Sequence, residues 1–181
     1  GIGVIILNLQ MDGRKADNYS SNAQKIRVIT EDWVNNNMFC PYCGNKYVSH
    51  FENNRPVADF FCPSCKEEYE LKSKGASISN KINDGAYNTM IERITSINNP
   101  NFFFMHYNKI SLQIENFVMV PKYFFSPDII EKRKPLAETA RRAGWTGCNI
   151  LLNRIPNEGR IYIVQNEKEI SVKKIMEKVH R

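Results

Sequence analysis

No apolar run in this sequence is long enough to cross a bilayer. The longest, residues 2–9, is broken by Gly3 and Asn8, and a spanning helix needs about 20 predominantly apolar residues. The same stretch lacks the basic start and small-residue cleavage site of a secretory signal. It reads as an edge strand, or as a remnant ahead of Met11. These two absences place the protein in the cytoplasm. Repeats and low-complexity tracts are also missing. The Asn-rich patches at 35–37 and 98–101 are short and read as loop or turn.

The sequence that is there is globular in character. It has 181 residues, 42% hydrophobic and 24% charged. That is enough for one ordinary domain, or one with a small insert, with a real core. The 25 Lys and Arg outnumber the 19 Asp and Glu, for a net charge of +6. A basic surplus suits a polyanionic partner, because neutralised phosphates release counterions. Charge alone does not choose between such a partner and none.

Periodicity outlines the elements. Residues 22–34 predict a helix, with Ala23, Ile26, Ile29 and Trp33 near helical spacing and Trp33 in the core. Strands are expected at 55–61 and 67–73, a polar loop at 77–83, and a second helix at 84–97 with Met90, Ile91, Ile94 and Ile97 inward. The aromatic runs 102–107 and 117–120 read as buried strands. Ser126-Pro127 looks like a helix start. Residues 136–145 are very basic and less defined. Residues 149–152 and 160–165 read as strands, and 170–179 as a closing helix. The order predicts an α/β fold, a mixed sandwich around one central sheet.

Cys40 and Cys43 bracket Pro41-Tyr42, and Cys62 and Cys65 bracket Pro63-Ser64, with eighteen residues between the pairs. Two such knuckles are the zinc-ribbon pattern: each presents two thiolates from one tight turn, and two complete a tetrahedron of sulfur. Disulfides and a redox role for either pair are the rival readings. A reducing cytoplasm disfavours disulfides, and a duplicated pair without thioredoxin-like context disfavours redox chemistry. Cys148 reads as a buried free thiol. His50 lies between knuckles that four cysteines already close, His106 reads as core, and His180 as exposed.

Asp59 precedes the second knuckle and Glu70-Leu71-Lys72 follows it. Residues two apart on a strand share a face, so Glu70 and Lys72 project together and Tyr69, Leu71 and Ser73 face away. The knuckle turn would fold the Asp59 strand back beside the Glu70 strand. Two carboxylates can hold magnesium, a hard cation that prefers oxygen. The metal lowers the pKa of a bound water, and a neighbouring lysine can orient that water or stabilise charge on the phosphorane. The plainer reading is a solvated strand face, since an Asp followed at a distance by Glu-x-Lys arises easily by chance.

Longer stretches carry a resemblance. SNAQKIRVITEDW (21–33), HFENNRPVADF (50–60), EEYELKSK (67–74), INDGAYNTM (82–90), NNPNFFF (98–104) and RKPLAETARRAGWTGCNI (133–150), with CPYCGN and CPSC, resemble the catalytic domain of DpnI-like methyl-directed type II restriction endonucleases. The resemblance covers roughly residues 21–165. It implies a PD-(D/E)XK core, a mixed central sheet flanked by helices, with structural zinc on Cys40, Cys43, Cys62 and Cys65. It implies catalysis by Asp59, Glu70 and Lys72, with magnesium held by Asp59, Glu70 and the Leu71 carbonyl. The target would be double-stranded DNA, cut to leave 5′-phosphates, at GATC carrying N6-methyladenine.

The resemblance divides the chain into an N-terminal extension, 1–20, and a nuclease domain, 21–181. The family's C-terminal winged helix has no counterpart before Arg181. The expectation is a truncated or natural single-domain relative, or a partner that supplies the second reader; the oligomeric state stays open, a monomer being one reading. Trp145 matches an aromatic that inserts into stacked bases, and Arg133, Lys134, Arg141 and Arg142 lie close by. The alternative is a solvated basic helix with Trp145 in the core. Ser73, Lys74 and Ser79 are further candidates for phosphate contact. Two other functions fit the residues: a non-enzymatic zinc-ribbon nucleic-acid-binding protein, and a repair or resolvase nuclease of the same fold.

Overall fold

The computed structural model describes residues 7–52, 58–76 and 80–180. Ten strands are seen among them: β1 (Ser49–His50), β2 (Phe60–Phe61), β3 (Glu68–Lys74), β4 (Lys81–Ala86), β5 (Asn101–Tyr107), β6 (Ile114–Val120), β7 (Ile130–Lys132), β8 (Gly147–Leu151), β9 (Ile161–Gln165) and β10 (Lys168–Glu169). The helices are α1 (Asn22–Asn37), α2 (Tyr87–Thr95) and α3 (Val172–Val179). A seven-stranded sheet runs β1-β2-β3-β5-β6-β9-β10. Only β3 and β5 pair in parallel within it, so the sheet is mixed, as expected.

β5 is the spine of the molecule. Asn101 to Met105 are all buried, as a central strand covered on both faces requires. Phe103 and Met105 face a cluster containing Trp33 and Val34 of α1 and Val172 and Ile175 of α3. Phe102 and Phe104 face a second cluster with Met90 and Ile94 of α2. Each buried phenylalanine contributes about 2 kcal/mol of transfer free energy. Leu7, Met11 and Ala16 join the first cluster, and the Trp33 indole N–H donates to the Asn8 carbonyl at 2.6 Å. The described part of the N-terminal extension therefore packs on the core.

Several local expectations need correction. A second, three-stranded sheet, β4-β8-β7, lies beside the first. Residues 81–86 belong to it as β4, so the polar loop and the helix start expected there are replaced by a strand. Pairing with β8 satisfies the backbone and overrides local propensity. The helix begins only at Tyr87, ends at Thr95, and leaves Ile97 98% exposed. Ser126-Pro127 opens a single 3-10 turn, not a helix. The Ser126 hydroxyl donates to the Asp128 carboxylate instead of capping an amide, and the chain passes into β7. Of the strand expected at 55–61, the described residues keep only Phe60–Phe61. Pro56, Val57 and Ser79 lie outside the described residues.

Candidate active site and metal centre

The two knuckles share one backbone design. Gly44 N donates to Cys40 O at 2.8 Å and Lys66 N to Cys62 O at 2.9 Å. Cys40 N donates to Asn45 O, and Cys62 N to Glu67 O, both at 2.8 Å. The residue after each second cysteine is left-handed, Gly44 at φ +77° and Lys66 at φ +69°. Glycine takes that conformation freely, whereas lysine does so at about 1–2 kcal/mol. This turn aims two sulfurs from one loop.

The four sulfurs lie within 4.8 Å of one another. Cys40 and Cys65 are 3.6 Å apart, as are Cys43 and Cys62. A sulfur tetrahedron around zinc, with bonds of about 2.3 Å, has edges of about 3.8 Å, while a disulfide needs about 2.05 Å. The donor set and spacing therefore fit zinc. Burial raises the thiols of Cys40 and Cys65, the latter to about 11, whereas at Cys62 the knuckle's own amides outweigh burial and lower the thiol. His50 stands apart, 3.0 Å from Glu31.

The knuckles are tied to the strand that follows. Tyr69, fully buried on β3, stacks on Phe103 at 4.5 Å and has its hydroxyl 3.1 Å from Cys40 Sγ. Buried Asn101 accepts from the Tyr42 hydroxyl and Lys122 N, and donates to Glu67 and Glu68, so its amide is fully satisfied. Outer partners of metal ligands typically change metal affinity about 10–100-fold. Tyr69→Phe is accordingly expected to release zinc to a chromophoric chelator about tenfold more readily. Unchanged release would remove Tyr69 from the zinc site.

Beyond the knuckle the chain doubles back. β2 and β3 pair antiparallel, Phe60 opposite Tyr69, and Asp59 N donates to Tyr69 O at 3.0 Å. Asp59 thus comes beside Glu70, and its Oδ2 accepts from Leu71 N at 2.7 Å. Glu70 and Lys72 lie in register with Phe102 and Phe104 and share their face, while Tyr69 and Leu71 pack on the opposite cluster. Asp59, Glu70, Leu71 and Lys72 line one cleft of about 280 Å³, walled by Arg27, Thr30 and Glu31 of α1.

Two residues that sequence reasoning missed contact the charged groups of this cleft without lining it. Arg93 of α2 reaches Glu70 Oε1 at 2.7 Å. Asp84 of β4 accepts from Lys72 Nζ at 2.7 Å, and Glu70 Oε1 stands 3.9 Å from the same ammonium. The INDG stretch carried a usable signal: an acidic residue two positions from the apolar Ile82. Burial raises the Asp59 and Glu70 carboxyls against the pull of Lys72. Burial works to lower Lys72, but Glu70 and Asp84 outweigh it and hold the ammonium above the usual lysine value. Glu70 Oε2 and Asp84 Oδ2 are buried without a hydrogen-bond partner. Of these, the Glu70 oxygen lies in the cleft with Asp59 and fits a hard divalent cation.

The basic segment 133–146 is not a helix. It leaves β7 and returns into β8 as an exposed arm, closed by bonds between Leu136 and Trp145 and between Gly144 and Leu136. Trp145 is half-buried and belongs to neither core cluster. The Arg142 guanidinium lies 4.7 Å over its ring. Lys134, Arg141 and Arg142 are exposed, and Arg133 is half-buried. The arm springs from the strands next to Asp84, which pairs with Cys148, itself paired with Lys132. Lys74 ends β3, its Nζ 3.5 Å from Lys81 O. Cys148 is a buried thiol raised to about 11 by burial and then by Asp84.

His106 is only partly buried. It touches Asn116 and Glu115 and lines a larger cavity, about 530 Å³, that does not include Asp59, Glu70 or Lys72. No helix among the described residues is long and apolar enough to cross a membrane. A family model described as DpnI, Dam-replacing family, matches residues 7–181.

Proposed function

The chain belongs to the DpnI, Dam-replacing family, a family of methylation-dependent restriction endonucleases, and from that premise we propose that it is a magnesium-dependent type II enzyme cutting duplex DNA at adenine-methylated GATC. The observation that carries this reading is the meeting of Asp59, Glu70 and Lys72 in one cleft, with the Glu70 Oε2 oxygen buried and unpartnered. Read this way, the three residues form a PD-(D/E)XK active site on a nuclease domain taken as residues 21–181.

In this reading Asp59, Glu70 and the Leu71 carbonyl would hold magnesium, and the ion would supply polarisation of the phosphate and acidification of a bound water. Lys72 holds its ammonium where charge grows on the phosphorane, at no cost of reorganisation in the low-dielectric cleft. Asp59, fixed by the Leu71 amide, sets the distance to Glu70. The four cysteines would hold zinc, which would stiffen the hairpin that presents both carboxylates. The exposed arm supplies phosphate contacts through Arg133, Lys134, Arg141 and Arg142, with Lys74 nearer the cleft. Trp145, held outside the core, wedges between bases.

The test uses plasmids from adenine-methylating and non-methylating hosts, at low salt with magnesium. Discrete fragments from the methylated plasmid alone are expected. Equal, scattered cutting would point to a nuclease with another job, and absence of cutting with retained binding to a zinc-ribbon binding protein. Trp145→Ala should reduce cutting of methylated DNA by about tenfold or more, the scale of about 1–3 kcal/mol for one stacked base. Its Tm should stay within a few degrees of wild type. A large fall in Tm would return Trp145 to the core.

A further inference from the structure

Resting on the nuclease reading above, we propose that Asp84 is a positioning residue for that reaction, holding the Lys72 ammonium in place beside Glu70 from the second sheet. Lysine carries its charge on a long flexible stem and needs an acceptor to fix it. Glu70 does not provide one: at 3.9 Å its oxygen attracts the ammonium but is beyond hydrogen-bond reach. Asp84 Oδ1, at 2.7 Å, is within reach. The same oxygen accepts from Gly85 N at 2.7 Å, so the backbone orients the carboxylate that orients the lysine.

The strand is shaped for this. Ile82 and Asp84 alternate onto one face of β4, and Ile82 is buried in the core beside α2. Asp84 therefore occupies an inward slot where an apolar side chain would otherwise sit. The β4–β8 register slips between Asp84 and Ala86, and a bulge of that kind re-aims a side chain next to a site. The Asp84 side chain is 10% exposed, and its Oδ2 lacks a partner. A buried ion pair kept only for stability could be replaced by apolar groups at little cost. One that leaves an oxygen unpaired beside a reacting group is kept for its geometry.

Asp84→Asn, Lys72→Ala and the double variant are compared with wild type on methylated GATC plasmid in magnesium, and by fluorescence anisotropy on a methylated duplex without metal. Asp84→Asn is expected to lower kcat about 10–100-fold, as loss of a supporting partner does, with KM and DNA affinity within about twofold. The double variant should be no slower than Lys72→Ala, because Asp84 acts through Lys72. Asp84→Glu keeps the charge but shifts the acceptor by one methylene, so its kcat should fall between Asp84→Asn and wild type with KM unchanged. It decides the matter if Asp84→Asn does not fold. Wild-type kcat in either variant, a KM effect alone, or a further loss on the Lys72→Ala background overturns the proposal while leaving the nuclease reading intact. A wild-type protein that does not cut overturns both.

Discussion

Lys72→Ala is expected to lower magnesium-dependent cleavage by about 10²–10³-fold, the size of effect that follows loss of one preorganised charge-stabilising group. The ammonium lies between Asp84 and Glu70 in a cleft where burial strengthens every charge interaction. DNA affinity should stay near wild type, because the group acts on charge that develops during the reaction. The variant also leaves two buried carboxylates short of a cation. Removing one partner of a buried pair costs about 3–5 kcal/mol, so a fall in Tm accompanies the loss of rate.

Asp59→Asn separates the two effects. Burial raises the Asp59 carboxyl above its ordinary value, so between the unfolded and folded pKa the native state binds more protons than the unfolded chain. Stability from this group therefore falls as pH rises through that window, and at neutral pH ionised Asp59 is a net cost. Asparagine keeps the shape and an acceptor for the Leu71 amide without the charge. In metal-free buffer the variant should melt at or above the wild-type temperature, yet cleave at least about 10²-fold more slowly. Full-rate cutting by Asp59→Asn or Lys72→Ala would show that the cleft is not the active site.

Withdrawal of zinc is the second large effect. Structural zinc sites in small domains bind with about 10–16 kcal/mol at neutral pH, against a net domain stability of about 5–15 kcal/mol. Here the large apolar clusters on both faces of the main sheet would keep part of the fold, and the loss would fall on the hairpin joining Asp59 to Glu70. Elemental analysis should find one zinc per chain. A zinc-selective chelator, with magnesium in excess, should lower Tm by more than about 10 °C and abolish cleavage until zinc is restored. Protein that contains no zinc, and whose cooperative melt ignores the chelator, would refute the assignment.

The features legible in the sequence were those set by short-range geometry. The spacing of Cys40, Cys43, Cys62 and Cys65 brings four sulfurs together because each knuckle is a closed local turn. The alternation of Tyr69, Glu70, Leu71 and Lys72 sorts them correctly between faces because strand side chains have a period of two. The aromatic run at 102–107 could only be a buried strand, and α1 and α3 announced themselves by their apolar stripes. Arg93 left no local signal as a site residue, and for Asp84 the alternation with Ile82 marked only an inward acidic side chain, not its partner. Asp84 reaches Lys72 only because β4 pairs with β8, about sixty residues away, and bulges at Gly85. Arg93 reaches Glu70 only because α2 packs over Phe102 and Phe104. The arm holding Trp145 had no clear local pattern, loop and basic helix both fitting it, and it is an exposed loop because β7 and β8 anchor both its ends. Local pattern determined which residues could carry the chemistry. Long-range strand pairing, which no window of neighbouring residues contains, decided which of them meet.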